Sequence, residues 1–172
     1  MITIVEPYYS ETIVSNSRFL LYLEKCDDRS NIKARVEELR AMHPHANHVC
    51  SAFRLLGENT PQPQVGFDDD GEPNGSAGKP MLAPIVGSDG INIAAYVVRY
   101  FGGVKLGVGG LVRAYGNAVS EAFKEAKFEK YIQKTSFLLE VGYKNIDLIK
   151  YFLEKNKVEI LDVKYETNVK FT

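Results

Sequence analysis

A chain of 172 residues is long enough for one domain, or one domain with a smaller companion, and it can bury a core without disulfides or metals. Hydrophobic residues make up 45% and charged residues 25%, which excludes whole-chain disorder. The 21 basic and 22 acidic side chains leave a net charge of −1, so any contact with a polyanion must come from a local patch.

Residues 12–25 alternate Phe19, Leu21 and Leu23 and read as one or two strands. Residues 30–42 place Ile32, Val36, Leu39 and Met42 at helical steps; Asp28 or Ser30 caps this helix and Pro44 stops it. Residues 47–56 form a strand, turned at Gly57-Glu58-Asn59 into a short strand near 64–67. Residues 68–79 have no period. Pro80 opens a short helix over 79–86, where Pro84 is tolerable only near the first turn. Residues 91–101 are apolar on both faces, as in a buried central strand. A glycine loop at 102–110 leads into a helix over 111–127, striped by Leu111, Tyr115, Ala118, Ala122 and Ala126.

A linker at 131–135 separates this part from the tail. The tail reads as a strand (136–143), a helix (146–155, capped by Asn145), a strand (158–165) and a further strand beginning at 168–171. This order matches the first part of a ferredoxin-like βαββαβ unit and stops short of its last helix and strand. The unit is either truncated or docked onto a partner.

Two cysteines, Cys26 and Cys50, with no Cys-x-x-Cys, exclude a disulfide scaffold and a four-cysteine zinc site. The first seven residues lack the features of a signal peptide, and no apolar run reaches about 18 residues. A cytoplasmic protein without membrane contact is expected. The Asn74-Gly75-Ser76 sequon is then incidental.

Glycine and charge are unevenly placed. Twelve of the 14 glycines lie between Gly66 and Gly116, so close backbone approaches concentrate there. Residues 91–120 contain no acid but hold Arg99, Lys105 and Arg113, directly after the acidic run Asp68, Asp69, Asp70 and Glu72. The strand, glycine loop and helix from Arg99 to Arg113 point free amides and three cations at one place, a disposition that attracts anions. Arg99, Lys105, Gly107, Gly109, Gly110 and Arg113 are the candidate anion-binding or nucleic-acid-binding residues; the alternative is that the glycines serve tight helix–sheet packing. The stretch is not a P-loop, and Val112 stands where a dinucleotide fingerprint needs its third glycine.

Other constellations carry a blander reading beside the functional one. The acidic run could hold magnesium through one or two carboxylates, but a solvated turn or a salt bridge to Lys79 or Arg113 is preferred. His43, His45 and His48 with Cys50 contain zinc-ligand types, yet Pro44 divides them; a core-edge histidine beside a buried cysteine is preferred. A Ser76–His48–Asp70 triad, with Glu72 as a further acid, defines an enzymatic alternative. Ser76 lacks the first glycine and the preceding strand of a nucleophile elbow. No metal and no cofactor is implied.

Two segments together carry a resemblance. Phe67-Asp68-Asp69-Asp70-Gly71-Glu72-Pro73-Asn74-Gly75-Ser76-Ala77-Gly78-Lys79-Pro80-Met81-Leu82 is followed at the right distance by Arg99-Tyr100-Phe101-Gly102-Gly103-Val104-Lys105-Leu106-Gly107. With Ala46-Asn47-His48-Val49-Cys50-Ser51-Ala52-Phe53 upstream, the pattern resembles the Impact-type family, most closely its bacterial YigZ-like branch, over about residues 1–130. Asp69, Asp70, Gly71, Glu72, Gly78, Lys79, Pro80, Arg99, Tyr100, Gly102 and Gly103 carry the match. The resemblance implies an α+β, two-layer sandwich over 1–130 like the second domain of ribosomal small-subunit protein five. It also implies an incomplete ferredoxin-like domain over 136–172, like the fifth domain of translocation elongation factors. Eukaryotic members regulate translation by competing for the activator of the kinase that phosphorylates initiation factor two; the resemblance does not extend to their amino-terminal partner-binding domain, so that partner is not carried over.

The preferred expectation is a non-enzymatic cytoplasmic factor that regulates translation or binds RNA or the ribosome through the glycine loop and helix amino terminus. Its partner would be RNA or a translation-associated protein, without DNA sequence specificity and with the oligomeric state open. A peptidase-like hydrolase using Asp70, Glu72, Ser76 and His48, and a purely protein-binding regulator, are the alternatives.

Overall fold

The computed structural model describes residues 1–57, 62–133 and 136–172. They run β1 (Ile2–Ile4), β2 (Tyr8–Val14), β3 (Ser17–Lys25), α1 (Ser30–Met42), β4 (His48–Leu55), β5 (Gln64–Asp68), α2 (Gly78–Gly87), β6 (Ile93–Tyr100), α3 (Gly107–Glu125), β7 (Phe128–Lys130), β8 (Leu139–Val141), α4 (Ile146–Lys155), β9 (Val163–Tyr165) and β10 (Val169–Phe171). They form two compact units, 1–131 and 132–172.

In the first unit, five antiparallel strands pair in the order β2-β3-β6-β4-β5. The strand that is apolar on both faces, β6, lies at the centre. Its period of two divides it: Ile93, Ala95 and Val97 join the core under α2 and α3, while Ala94, Tyr96 and Val98 join the core under α1. The α+β class is as expected. Covering the second sheet face with α1 adds a third layer to the two-layer arrangement.

α1 spans the expected residues and buries Ile32 and Leu39. Asp28 accepts the Ser30 backbone N–H at 2.8 Å, tying down one of the free amides at the helix start. α3 buries Leu111, Tyr115, Ala118 and Ala122 of the expected stripe, while the helix ends at Glu125 and Ala126 just beyond it is partly buried.

Several boundaries differ from the sequence reading. α3 begins at Gly107, so Gly107 to Gly110 are its first turn rather than the end of a loop; glycine's low helix propensity hid this. Pro84 lies inside α2, beyond its first turn. β1 and β7 were not anticipated: they pair antiparallel as three-residue strands, too short to show a period. The turn residues Glu58 and Asn59, and Lys134 and Thr135 of the expected linker, lie outside the described residues.

In the second unit, β8, β10 and β9 form an antiparallel sheet in that order, and Leu153 of α4 is buried with Val169 and Phe171. Its strands are shorter than the patterns at 136–143 and 158–165. Among the described residues, no helix is long and apolar enough to cross a membrane, and both cysteines are free and buried.

Candidate functional site

The acidic run does not stay together in solvent; each carboxylate has its own task. The Asp69 carboxylate accepts backbone N–H bonds from Gly75 (2.7 Å), Ala77 (3.0 Å) and Gly78 (2.8 Å), fixing the entrance to α2. The Asp70 carboxylate takes the Arg40 guanidinium and the Val49 backbone N–H. Its carbonyl takes His48 Nδ1 at 2.8 Å. A carbonyl only accepts, so Nδ1 carries the proton, and in a neutral ring Nε2 is left as an acceptor.

Glu72 turns inward. Its side chain is 3% exposed and that of Arg99 is 6% exposed, and Arg99 Nη1 donates to Glu72 Oε1 at 2.5 Å. The Tyr115 hydroxyl donates to the same oxygen at 2.7 Å. Cys50 Sγ lies 3.4 Å from that hydroxyl and donates to the Asp69 carbonyl at 3.1 Å. Burial pushes both the Cys50 thiol and the Tyr115 phenol far up, so both stay neutral. Arg99 Nη2 reaches Ser17 Oγ at 3.4 Å, and that oxygen also accepts the Gly102 N–H at 3.2 Å. A polar chain thus runs through the core from the acidic loop to the glycine loop. It is costly to break, because a buried charge without its partner is strongly destabilising.

The glycine loop is shaped by two specific demands. At Gly102 a Cβ would lie 2.0 Å from the Asn16 carbonyl carbon, so only glycine fits against the β2–β3 turn. Gly107 opens α3 at φ +69°, in the left-handed region. No side chain caps α3, and its first turn carries no acid. Its first amides therefore have neither intrahelical acceptors nor a capping side chain.

These parts meet at a cleft of about 390 Å³ lined by His48, Glu72, Arg99, Phe101, Lys105 and Gly107, among others. A neighbouring cleft of about 560 Å³ is lined by Lys105, Gly110, Arg113 and the β2–β3 turn. Lys105 lies on the rim shared by both. Lys105 and Arg113 are exposed and make no ion pair among the described residues.

The structure brings most of the candidate residues to one helix start and pairs one of them internally. Lys105, Gly107, Gly109, Gly110 and Arg113 stand at the start of α3, but Arg99 is not a free cation, because Glu72 neutralises it inside the core. The acidic run reaches the cleft through Glu72, while its charge partners are Arg99 and Arg40 rather than Lys79 or Arg113. The Ser76–His48–Asp70 triad is not formed. Ser76 is fully buried with an unpartnered hydroxyl, and His48 contacts the Asp70 carbonyl rather than its carboxylate. The histidines do not assemble: His43 lies between the Tyr22 and Tyr100 hydroxyls at 2.8 Å each, while His48 faces Glu72. Of the other motif residues, Gly71 and Gly103 have positive φ, Pro80 lies in the first turn of α2, and Lys79 is exposed.

Sequence reasoning missed the roles of Asn47, which accepts the Phe101 N–H at 2.7 Å, and of Tyr115. One signal for Tyr115 was present: a tyrosine on the buried stripe of a helix needs a partner for its hydroxyl.

Residues 15–123 match the Impact N-terminal domain, and residues 139–172 match a domain of unknown function. An IMPACT family member of Haemophilus influenzae is 42% identical over 159 residues, covering 92% of this chain and 77% of that protein. The IMPACT family member YigZ of Escherichia coli is 40% identical over 156 residues, covering 91% and 76%. The crystal structure of a hypothetical protein superposes with a TM-score of 0.76 at 38% identity, covering 99% of this chain and 82% of that one.

Proposed function

The chain belongs to the Impact family, and on that premise we propose that it is a non-enzymatic translation factor that holds single-stranded RNA at the start of α3. The observation that carries this reading is the uncapped, acid-free first turn of α3, opening on a cleft that Lys105 also lines. Free amides at a helix amino terminus favour an anion, and a phosphodiester offers acceptor oxygens to them. Lys105 on the shared rim and Arg113 in the neighbouring cleft extend the positive track by one further phosphate. Phe101 is 44% exposed beside them and offers a ring for base stacking. Because Arg99 is internally neutralised, affinity rests on few charges and falls in the micromolar range or weaker.

Fluorescence anisotropy with a labelled single-stranded RNA, on the wild type and on a Lys105→Ala/Arg113→Glu variant of unchanged circular dichroism, tests the reading. Binding by the wild type and its loss in the variant are expected. Equal affinity for both proteins removes this face from the account. An absence of binding by either at low salt favours a protein partner instead.

A further inference from the structure

The inner end of the cleft has a chemistry that phosphate binding does not use. Glu72 is almost wholly buried, yet only its Oε1 is saturated, by Arg99 and Tyr115. Among the described residues, Oε2 has no hydrogen-bond donor, and His48 Nε2 lies 3.8 Å from it. The His48 Nδ1 proton goes to the Asp70 carbonyl, so whenever the ring is neutral its Nε2 is also an acceptor. The cleft therefore presents two acceptors, 3.8 Å apart, and asks its ligand for donors.

A single –NH₂ group answers both. Its two hydrogens diverge, and acceptors 3.8 Å apart can each take one of them at ordinary hydrogen-bond distance. A cationic amine is disfavoured, because Lys105 and the positive end of α3 line the same cleft. A neutral exocyclic amino group on an aromatic ring fits. The ring stacks on Phe101, whose backbone is pinned by Asn47, and a cleft of about 390 Å³ accommodates one such group. Resting on the RNA reading of this site, we infer that the cleft takes one splayed nucleotide and selects bases that bear an amino group. Adenine N6, cytosine N4 and guanine N2 offer the two hydrogens. Uracil places a carbonyl oxygen at the position that cytosine fills with its amino group, and that oxygen is repelled by Glu72 Oε2 and His48 Nε2.

Cytosine and uracil differ at this edge while their rings are alike in size, so the C-to-U ratio isolates the inference from stacking. The test is fluorescence anisotropy on the full chain with labelled oligo(C) and oligo(U) of equal length at low salt. The wild type is expected to prefer oligo(C) by about tenfold, in line with a paired base-edge contact. In Glu72→Gln the carbonyl can keep Arg99 and Tyr115 while the amide turns a donor into the cleft, and the preference is expected to vanish or reverse. His48→Ala, which spares the buried ion pair, is expected to lower the ratio as well and serves if the first variant fails to fold. Lys105→Ala is expected to weaken both oligomers equally. Equal binding of oligo(C) and oligo(U) by the wild type, or an unchanged ratio in both Glu72→Gln and His48→Ala, overturns base selection and leaves the RNA reading standing. Binding of neither oligomer overturns both.

Discussion

At the residue scale, Glu72 ties the acidic loop, α3 and β6 together through one carboxylate. Removing Arg99 leaves that carboxylate buried and uncompensated. Arg99→Met is expected to cost about 3–5 kcal/mol, and the double variant Arg99→Met/Glu72→Met to recover part of the loss. Urea denaturation of the wild type, of Arg99→Met and Glu72→Met singly, and of the double variant measures this; additive losses would show that the pair is not coupled. Cys50 belongs to the same chain, and burial raises its pKa. At pH 8 it is therefore a thiol rather than a thiolate, and only the thiolate reacts. Native protein treated with iodoacetamide is expected to leave Cys50 unmodified by mass spectrometry, whereas denatured protein reacts; alkylation of native Cys50 within minutes would contradict its place in the core. Little of this was legible in the sequence. Glu72 and Tyr115 are 43 residues apart and meet only through the fold. Cys50 was legible as buried, because it falls in an apolar strand.

At the element scale, the start of α3 is shaped by its glycines, and they are not equivalent. Gly107 has φ +69°, so Gly107→Ala is expected to destabilise by about 1 kcal/mol. At Gly109 a Cβ meets only the Arg113 guanidinium, at 3.8 Å, and φ is not positive. Gly109→Ala is therefore expected to stabilise by about 0.5–1 kcal/mol through helix propensity alone. Thermal melts of the two variants should move in opposite directions; shifts of the same sign would refute the assignment. The contrast explains what was readable. α1 was located to the residue because its apolar positions repeat at helical steps and Pro44 ends it. The beginning of α3 was read one turn late because four residues with three glycines carry no periodic signal. The placement of Pro84 inside α2 went against local rules, and β1 and β7 were too short to announce themselves.

At the scale of the whole molecule, a net charge of −1 makes any affinity for a polyanion local. With Arg99 neutralised, Lys105 and Arg113 remain as the exposed cations of the track. Two neutralised phosphates on a single strand give a slope of log affinity against log salt of about −1.4. A slope steeper than about −3 would mean that other surfaces carry the binding. The acid-free window made this patch visible in the sequence, although it counted a third cation that the fold has already paired. The most direct test of the central claim is an amide-resolved NMR titration of the ¹⁵N-labelled full chain with a short single-stranded RNA. The account predicts that the Gly107, Val108 and Gly109 amides show the largest shifts, with Phe101 and Lys105 next and the residues of β5 unmoved. Shifts concentrated elsewhere, with the first turn of α3 silent at saturation, would contradict it.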